Sequence, residues 1–302
     1  MKKLIAISLL MFSSMVMAAW PTKPITLILP WSAGGWGDKI SREFQRDLER
    51  DLGVPVVVKP MPGAAFVVAI NHILNEANDN HTFMFVNNDF ITSQIVLGTR
   101  QYVKFTPVSI WMSQHYFIYG GKGATVEKLK QQIANGETVS IGNIGANGSQ
   151  DLWSKSLKTT LKINSVPYKG SAPLKVDVLG GHTEYGISTL TGEQQLIDEG
   201  RIVPLVVSST SRHPLHKNAV PFQEVGFQGK ADEMLSAWAA RSDTDPEAIK
   251  AMNAAFQKVV KNNPQLQSMK ADGVNLINLS VDNSANLWNR LIQNYETYTI
   301  KK

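Results

Sequence analysis

The sequence predicts an α/β chain folded as two lobes. Strand-like runs alternate with helical stretches from Ile25 onward, and a plan of strand, glycine-containing turn and helix occurs four times. The length of 302 residues suits two domains better than one, yet no shift in composition marks a linker. Two lobes joined by strands that cross over and return account for the missing boundary.

Ile25 to Leu29 reads as the first strand. It runs into Pro30-Trp31-Ser32-Ala33-Gly34-Gly35-Trp36-Gly37-Asp38 and then a helix with Ile40, Phe44 and Leu48 on its apolar face. A glycine-rich turn that opens a helix leaves backbone N–H groups unpaired at the positive end of the helix dipole, and glycine lets a ligand approach closely. This is an anion cradle in outline. Val54 to Lys59, Pro60 to Ala65 and a helix with Ala69, Ile70, Ile73 and Leu74 repeat the plan. Thr82 to Val86 is a further strand, ended by Asn87, Asn88 and Asp89, and Val108 to Tyr119 is another. Thr138 to Ile141 leads through Asn143 to Asp151, with Ser149 as the expected N-cap, into a helix with Leu152, Leu157 and Leu161. Ile163 to Val166 leads through Tyr168-Lys169-Gly170-Ser171-Ala172-Pro173 to Leu174, Val178 and Leu179, with Pro173 in a first turn that tolerates it. Ile202 to Ser208 and Leu235 to Arg241 are strands. Asp245-Pro246-Glu247 reads as an N-cap followed by a first-turn proline, opening a helix with Ile249, Met252, Phe256 and Val260. Leu287, Leu291, Tyr295 and Tyr298 line the last helix.

In open α/β sheets ligands bind beyond the carboxyl ends of the strands, where such turns converge. These turns offer Gly N–H, Ser and Asn donors and almost no acidic side chain, which favours an anionic ligand. Met1-Lys2-Lys3, the apolar stretch Leu4 to Met17 and the small residues around Ala18 read as a secretory signal peptide, residues 1–18, too short and serine-containing for a membrane anchor. Cysteine is absent, which excludes disulfides and thiolate chemistry. The net charge of +5 includes Lys2 and Lys3, leaving +3, and no basic run points to nucleic acid.

The segments Val166-Pro167-Tyr168-Lys169-Gly170-Ser171-Ala172-Pro173 and Val178-Leu179-Gly180-Gly181 resemble a signature of the tripartite tricarboxylate transporter substrate-binding family. Trp20 to Ile25, Pro30 to Asp38, Pro62-Gly63-Ala64, Gly200 to Val207 and Ala219 to Phe227 resemble family segments in the same order. The resemblance implies a type II periplasmic binding-protein fold: two α/β lobes, a ligand cleft between them, and a small organic acid, a di- or tricarboxylate foremost, delivered to membrane permease subunits. The implied lobes are 19–122 with 236–302, and 123–235. A monomer in the periplasm is expected, with no cofactor and no bound metal. By the same resemblance, amides around Ala33, Gly34 and Gly35 hold one carboxylate, while Gly145, Ala146, Asn147, Ser149 and Ser171 hold the far end.

Other candidates stand on position alone. Trp31 and Ser32 belong to the first glycine loop, where the Trp31 and Trp36 rings can cover a ligand or anchor the loop by packing. Asn87, Asn88 and Asp89 end a strand at cleft height and are candidate ligand contacts, though an Asx turn needs no ligand. Ser188 and Thr189 stand where the resembled family has a pocket-lining turn with an Asp that this chain lacks. Tyr168 is a further candidate, though better explained as a packing residue with its hydroxyl satisfied than as a proton donor. Catalysis is poorly supported: a nucleophile with its base and a G-x-S-x-G turn are both missing, and His213 and His216, the one close histidine pair, have no carboxylate-rich partner segment. A secreted enzyme acting on an organic acid, and a sensor subunit signalling to a membrane kinase, are the alternatives to a transport receptor.

Overall fold

In a computed structural model, which describes residues 20–64, 66–144, 148–157, 162–168, 170–228 and 231–299, the chain forms two six-stranded sheets. The expected signal peptide lies outside the described residues. The first lobe opens with β1 (Ile25–Leu29), α1 (Trp36–Leu52), β2 (Val56–Pro60), α2 (Val67–Asn75), β3 (Thr82–Asn87), α3 (Asn88–Val96) and β4 (Phe105–His115). The chain then enters the second lobe with β5 (Phe117–Gly120), α4 (Val126–Asn135), β6 (Thr138–Ile144), α5 (Ser149–Ser156), β7 (Lys162–Tyr168), α6 (Ser171–Leu179), β8 (Tyr185–Ser188), α7 (Gln194–Asp198), β9 (Val203–Val207) and β10 (Val220–Pro221). It returns through β11 (Glu233–Arg241), followed by α8 (Pro246–Asn262), α9 (Pro264–Ser268), β12 (Asn275–Leu276) and α10 (Val281–Thr299).

The sheets run β12-β4-β11-β3-β1-β2 and β10-β9-β5-β8-β6-β7. Each has three parallel strands, β2-β1-β3 and β7-β6-β8, flanked by an antiparallel strand that arrives from the other lobe: β11 beside β3, and β5 beside β8. The run Val108 to Tyr119 is therefore not one strand. It breaks at Tyr116, whose two sides serve different sheets, and the return comes at Asp232 before β11. The sheets thus exchange strands at Tyr116 and Asp232.

Most of the stripe residues read from sequence are buried, Leu74, Leu179 and Leu287 partly so, while the Tyr298 side chain lies outside the described residues. Ile40, Phe44 and Leu48 of α1 pack with Trp111, Trp238 and Phe256 against one face of the first sheet. The helix ends at Gly53, whose positive φ of 70° lets its N–H return to Glu49 O. Asp245 caps α8 through Glu247 N–H with Pro246 in the first turn, as the sequence predicts. On α10, Leu291 and Tyr295 join Phe66, Phe90 and Trp288 on the opposite face. Leu152 of α5 belongs to this cluster, so the second lobe packs directly on the first. Leu157 falls one residue beyond α5, and Leu161 lies outside the described residues.

Candidate functional site

β1, β2 and β3 are parallel, so the loop 30–35, the turn after Pro60 and residues 87–89 share one edge of the first sheet. The ends of β6, β7 and β8 share one edge of the second. A cleft forms where these edges meet.

On the first edge Ser32, Ala33, Gly34, Gly35 and Trp36 are exposed, while Trp31 is half-buried and wedged edge-on between Phe66 and Phe85, with ring centroids 5.4 and 5.2 Å away. Trp31 thus anchors the loop by packing. Gly34 has φ 83°, a conformation that glycine tolerates best, and Gly35 caps α1 without a side chain. Asp38 in the first turn is buried and turns back: one oxygen accepts the Gly34 N–H at 2.8 Å and the other lies 3.1 Å from Arg42 Nε. The Gly34 N–H, and after it Arg42, hold the Asp38 carboxyl below the usual carboxylate range against the opposing effect of burial. The Gly34 amide is therefore already paired. The remaining first-turn amides of α1 have no intrahelical acceptor and stand at the positive end of a 17-residue helix.

On the second edge Gly148, not Ser149, is the N-cap of α5, and Ser149 is its first helical residue. The expected local cap is replaced by a bond across the cleft. Asp89 Oδ1, from α3 of the first lobe, accepts the Ser149 N–H at 2.9 Å and the Ser149 hydroxyl at 2.8 Å. Ser149 Oγ in turn accepts from the Tyr116 hydroxyl at 2.8 Å. Tyr116 is fully buried, and burial raises its hydroxyl well above the ordinary value, followed in effect by Asp232 and Asp89, so it remains a donor. A second link joins Gln114 Nε2 of β4 to Thr191 Oγ1 in the loop after β8. The near absence of acidic groups read from the turns does not hold at the cleft: Asp38 and Asp89 both reach helix N-termini there.

Beside this junction the crossing strands are bonded together. Ser208 N–H reaches Tyr116 O at 2.8 Å, Ser208 Oγ accepts from Tyr116 N–H at 2.9 Å and donates to Asp232 O at 2.5 Å. The Tyr295 hydroxyl donates to Asp232 Oδ2 at 3.0 Å and accepts from Asn88 Nδ2 at 2.7 Å. Burial pushes the Asp232 carboxyl up to about 7, opposed by the Tyr295 and Glu233 hydrogen bonds.

Asn88 is fully buried here. Its amide N–H groups go to Glu233 O and Tyr295, and its oxygen accepts from Leu235 N–H, so it holds the return strand and presents no donor to the cleft. Asn87 caps α3 through Asp89 N–H. Tyr168 donates to Asp177 at 2.8 Å and lies 2.6 Å from Thr183 Oγ1, a packing role within the second lobe. Ser171 opens α6 in an exposed position on the second edge. Ser188 accepts from Leu190 N–H, and Thr189 Oγ1 lies 3.3 Å from Thr191 Oγ1, which places this turn beside the Gln114 link. Gly145, Ala146 and Asn147 lie outside the described residues. Sequence reasoning missed Gln114, Tyr116, Asp232 and Tyr295. Asp89 stands with Asn87 and Asn88 as a candidate ligand contact in the sequence; only the meeting of the lobes gives it Ser149 as its partner. His213 and His216 stack at 5.2 Å, and burial, then His216 and His115, lower His213 to about 4. No group of three potential metal ligands occurs among the described residues.

Two α/β lobes exchanging strands, with the carboxyl edges of their parallel strands meeting over a cleft, define a two-lobed solute-binding protein. Residues 40–299 match the tripartite tricarboxylate transporter family receptor, TctC, and the chain belongs to that family. It is 26% identical over 269 residues to Protein BugT of Bordetella pertussis (strain Tohama I), covering 84% of this chain and 81% of that one. It superposes on a TctC solute-binding protein from Polaromonas with TM-score 0.78 and 22% identity, covering 94% and 100% of the chains. MatC from Rhodopseudomonas palustris with bound malate follows with TM-score 0.75 and 17% identity, covering 92% and 99%.

Proposed function

We propose that this chain is an extracytoplasmic receptor that captures a small organic acid between its lobes, performs no chemistry on it, and delivers it to membrane permease subunits of a tripartite tricarboxylate-type transporter. The observation that supports the reading is the pair of hydrogen bonds joining the two strand edges at Asp89 and Ser149, with the exposed N-terminus of α1 on one edge and the N-terminus of α5 on the other. A ligand carboxylate lies against the free first-turn amides of α1 and the exposed loop 32–35. Hydrogen bonds to an anion are short and about twice as strong as neutral ones, so backbone donors suffice without a buried cation. Malate in MatC supports an acid as ligand. Residues 1–18 serve on this reading as the export signal, which puts the receptor in the periplasm.

Thermal unfolding of the mature chain against mono-, di- and tricarboxylates, aromatic acids, amino acids and sugars tests this. A bound acid at ~100 times its dissociation constant adds ~2.7 kcal/mol to stability. Shifts with acids alone are expected. A shift only with neutral compounds, or conversion of a bound acid into product, overturns the reading.

A further inference from the structure

The α5 N-terminus already receives a carboxylate, and it is the protein's own. Asp89 Oδ1 takes both the N–H and the hydroxyl of Ser149, and the hydroxyl is fixed from behind by buried Tyr116. Asp89 Oδ2 is less engaged, with Asn87 Nδ2 at 3.3 Å. Asp89 is only partly buried, and none of the ion pairs among the described residues includes it. Asp38 on the other edge is different: Arg42 balances its charge.

We propose that Asp89 sets the ligand class: it takes the Ser149 N–H and hydroxyl at the N-terminus of α5, so the receptor selects an acid with one carboxylate for the α1 edge and a hydroxyl or ammonium donor directed at Asp89 Oδ2. This rests on the receptor reading above. The second anion of a diacid would approach Asp89 where the Ser149 N–H and hydroxyl are already engaged, and like charges repel most strongly in a partly desolvated cleft. A hydroxyl or ammonium in the same place adds a second donor to Oδ2 beside the long bond from Asn87.

Calorimetric titration with matched probes separates the possibilities: succinate against 4-hydroxybutanoate and 4-aminobutanoate, and adipate against 6-hydroxyhexanoate and 6-aminohexanoate. The wild type is expected to prefer a hydroxy or amino acid over the diacid of equal length by at least about tenfold, and Asp89→Ser to move that ratio at least about tenfold toward the diacid. Asp89→Asn, which removes the charge and keeps the shape, moves it the same way. Such a ratio does not follow from a change in stability alone. A wild type that binds the diacid as tightly, its second carboxylate displacing Asp89, overturns the proposal, as does a ratio unmoved in both variants, and in either case the receptor reading survives. If none of these acids binds and no other acid does, both fail.

Discussion

The N-termini of α1 and α5 stand on the two edges of the cleft, and each is served by an aspartate, but the two carboxylates differ in origin. Asp38 lies in the first turn of α1 itself and bonds the amide four residues earlier, with Arg42 beside it. Asp89 reaches α5 from the other lobe, 60 residues before Ser149 in sequence, and pairs with no cation among the described residues. A local acid fixes the shape of its own loop whatever the lobes do. A remote acid depends on how the lobes are held, and so couples the chemistry of the cleft to the crossing strands behind it.

The largest effect that can break this comparison lies at Asp232. Its folded pKa, about 7, exceeds the unfolded value of 3.8, so the folded state holds the proton more tightly and stability is lost as pH rises from about 4 to about 7. Across that window Asp232→Asn should gain on the wild type by roughly 4 kcal/mol, read from denaturant unfolding at several pH values. His213, lowered to about 4, acts in the opposite sense below its unfolded value of 6.5, so the variant should become more stable as pH rises toward 6.5. A constant difference between variant and wild type would remove Asp232 from this role. Asn88→Ala leaves Glu233 O and Leu235 N–H unpaired in the core and should cost about 3 kcal/mol. Hydrogen exchange should then quicken at α5 while the amides of α1 keep their protection; equal loss at both would erase the distinction between them.

Gly34→Val acts on the local side. Nothing lies within 4 Å of an added Cβ, so the penalty is the backbone strain of φ 83°, about 1–2 kcal/mol, with acid affinity falling further than stability. Unchanged affinity would remove the α1 loop from the site. The smallest effect is Asp38→Asn, about 1 kcal/mol. Because the Asp38 pKa is depressed, this contribution is present above the unfolded pKa of 3.8 and disappears as pH falls through the folded value. Unfolding at pH 7 and in strong acid checks it.

The same contrast explains what the sequence disclosed. Stripes such as Ile40-Phe44-Leu48, the Asp245-Pro246 start and the glycine loop at Gly34 are local patterns, legible because helix periodicity and capping are local physics. The strand exchange at Tyr116 was hidden because the chain stays largely buried as it passes from one sheet to the other, and no glycine or proline turn punctuates Ser113-Gln114-His115. Ser149 looked like an N-cap because serine at a helix start usually bonds its own turn, and here a stronger, charged acceptor comes from the other lobe. Asn88 looked like a cleft donor since its position at a strand end is right, but the β11 main chain and Tyr295 take its amide, and neither adjoins it in sequence.

The most direct measurement is a crystal structure of the mature protein with the acid that shifts its unfolding most. The ligand should lie between the strand edges, one carboxylate within hydrogen-bond distance of the first-turn amides of α1 and Asp89 facing its other end. A carboxylate seated outside the cleft, or no contact with the α1 loop, would contradict the site and the function built on it.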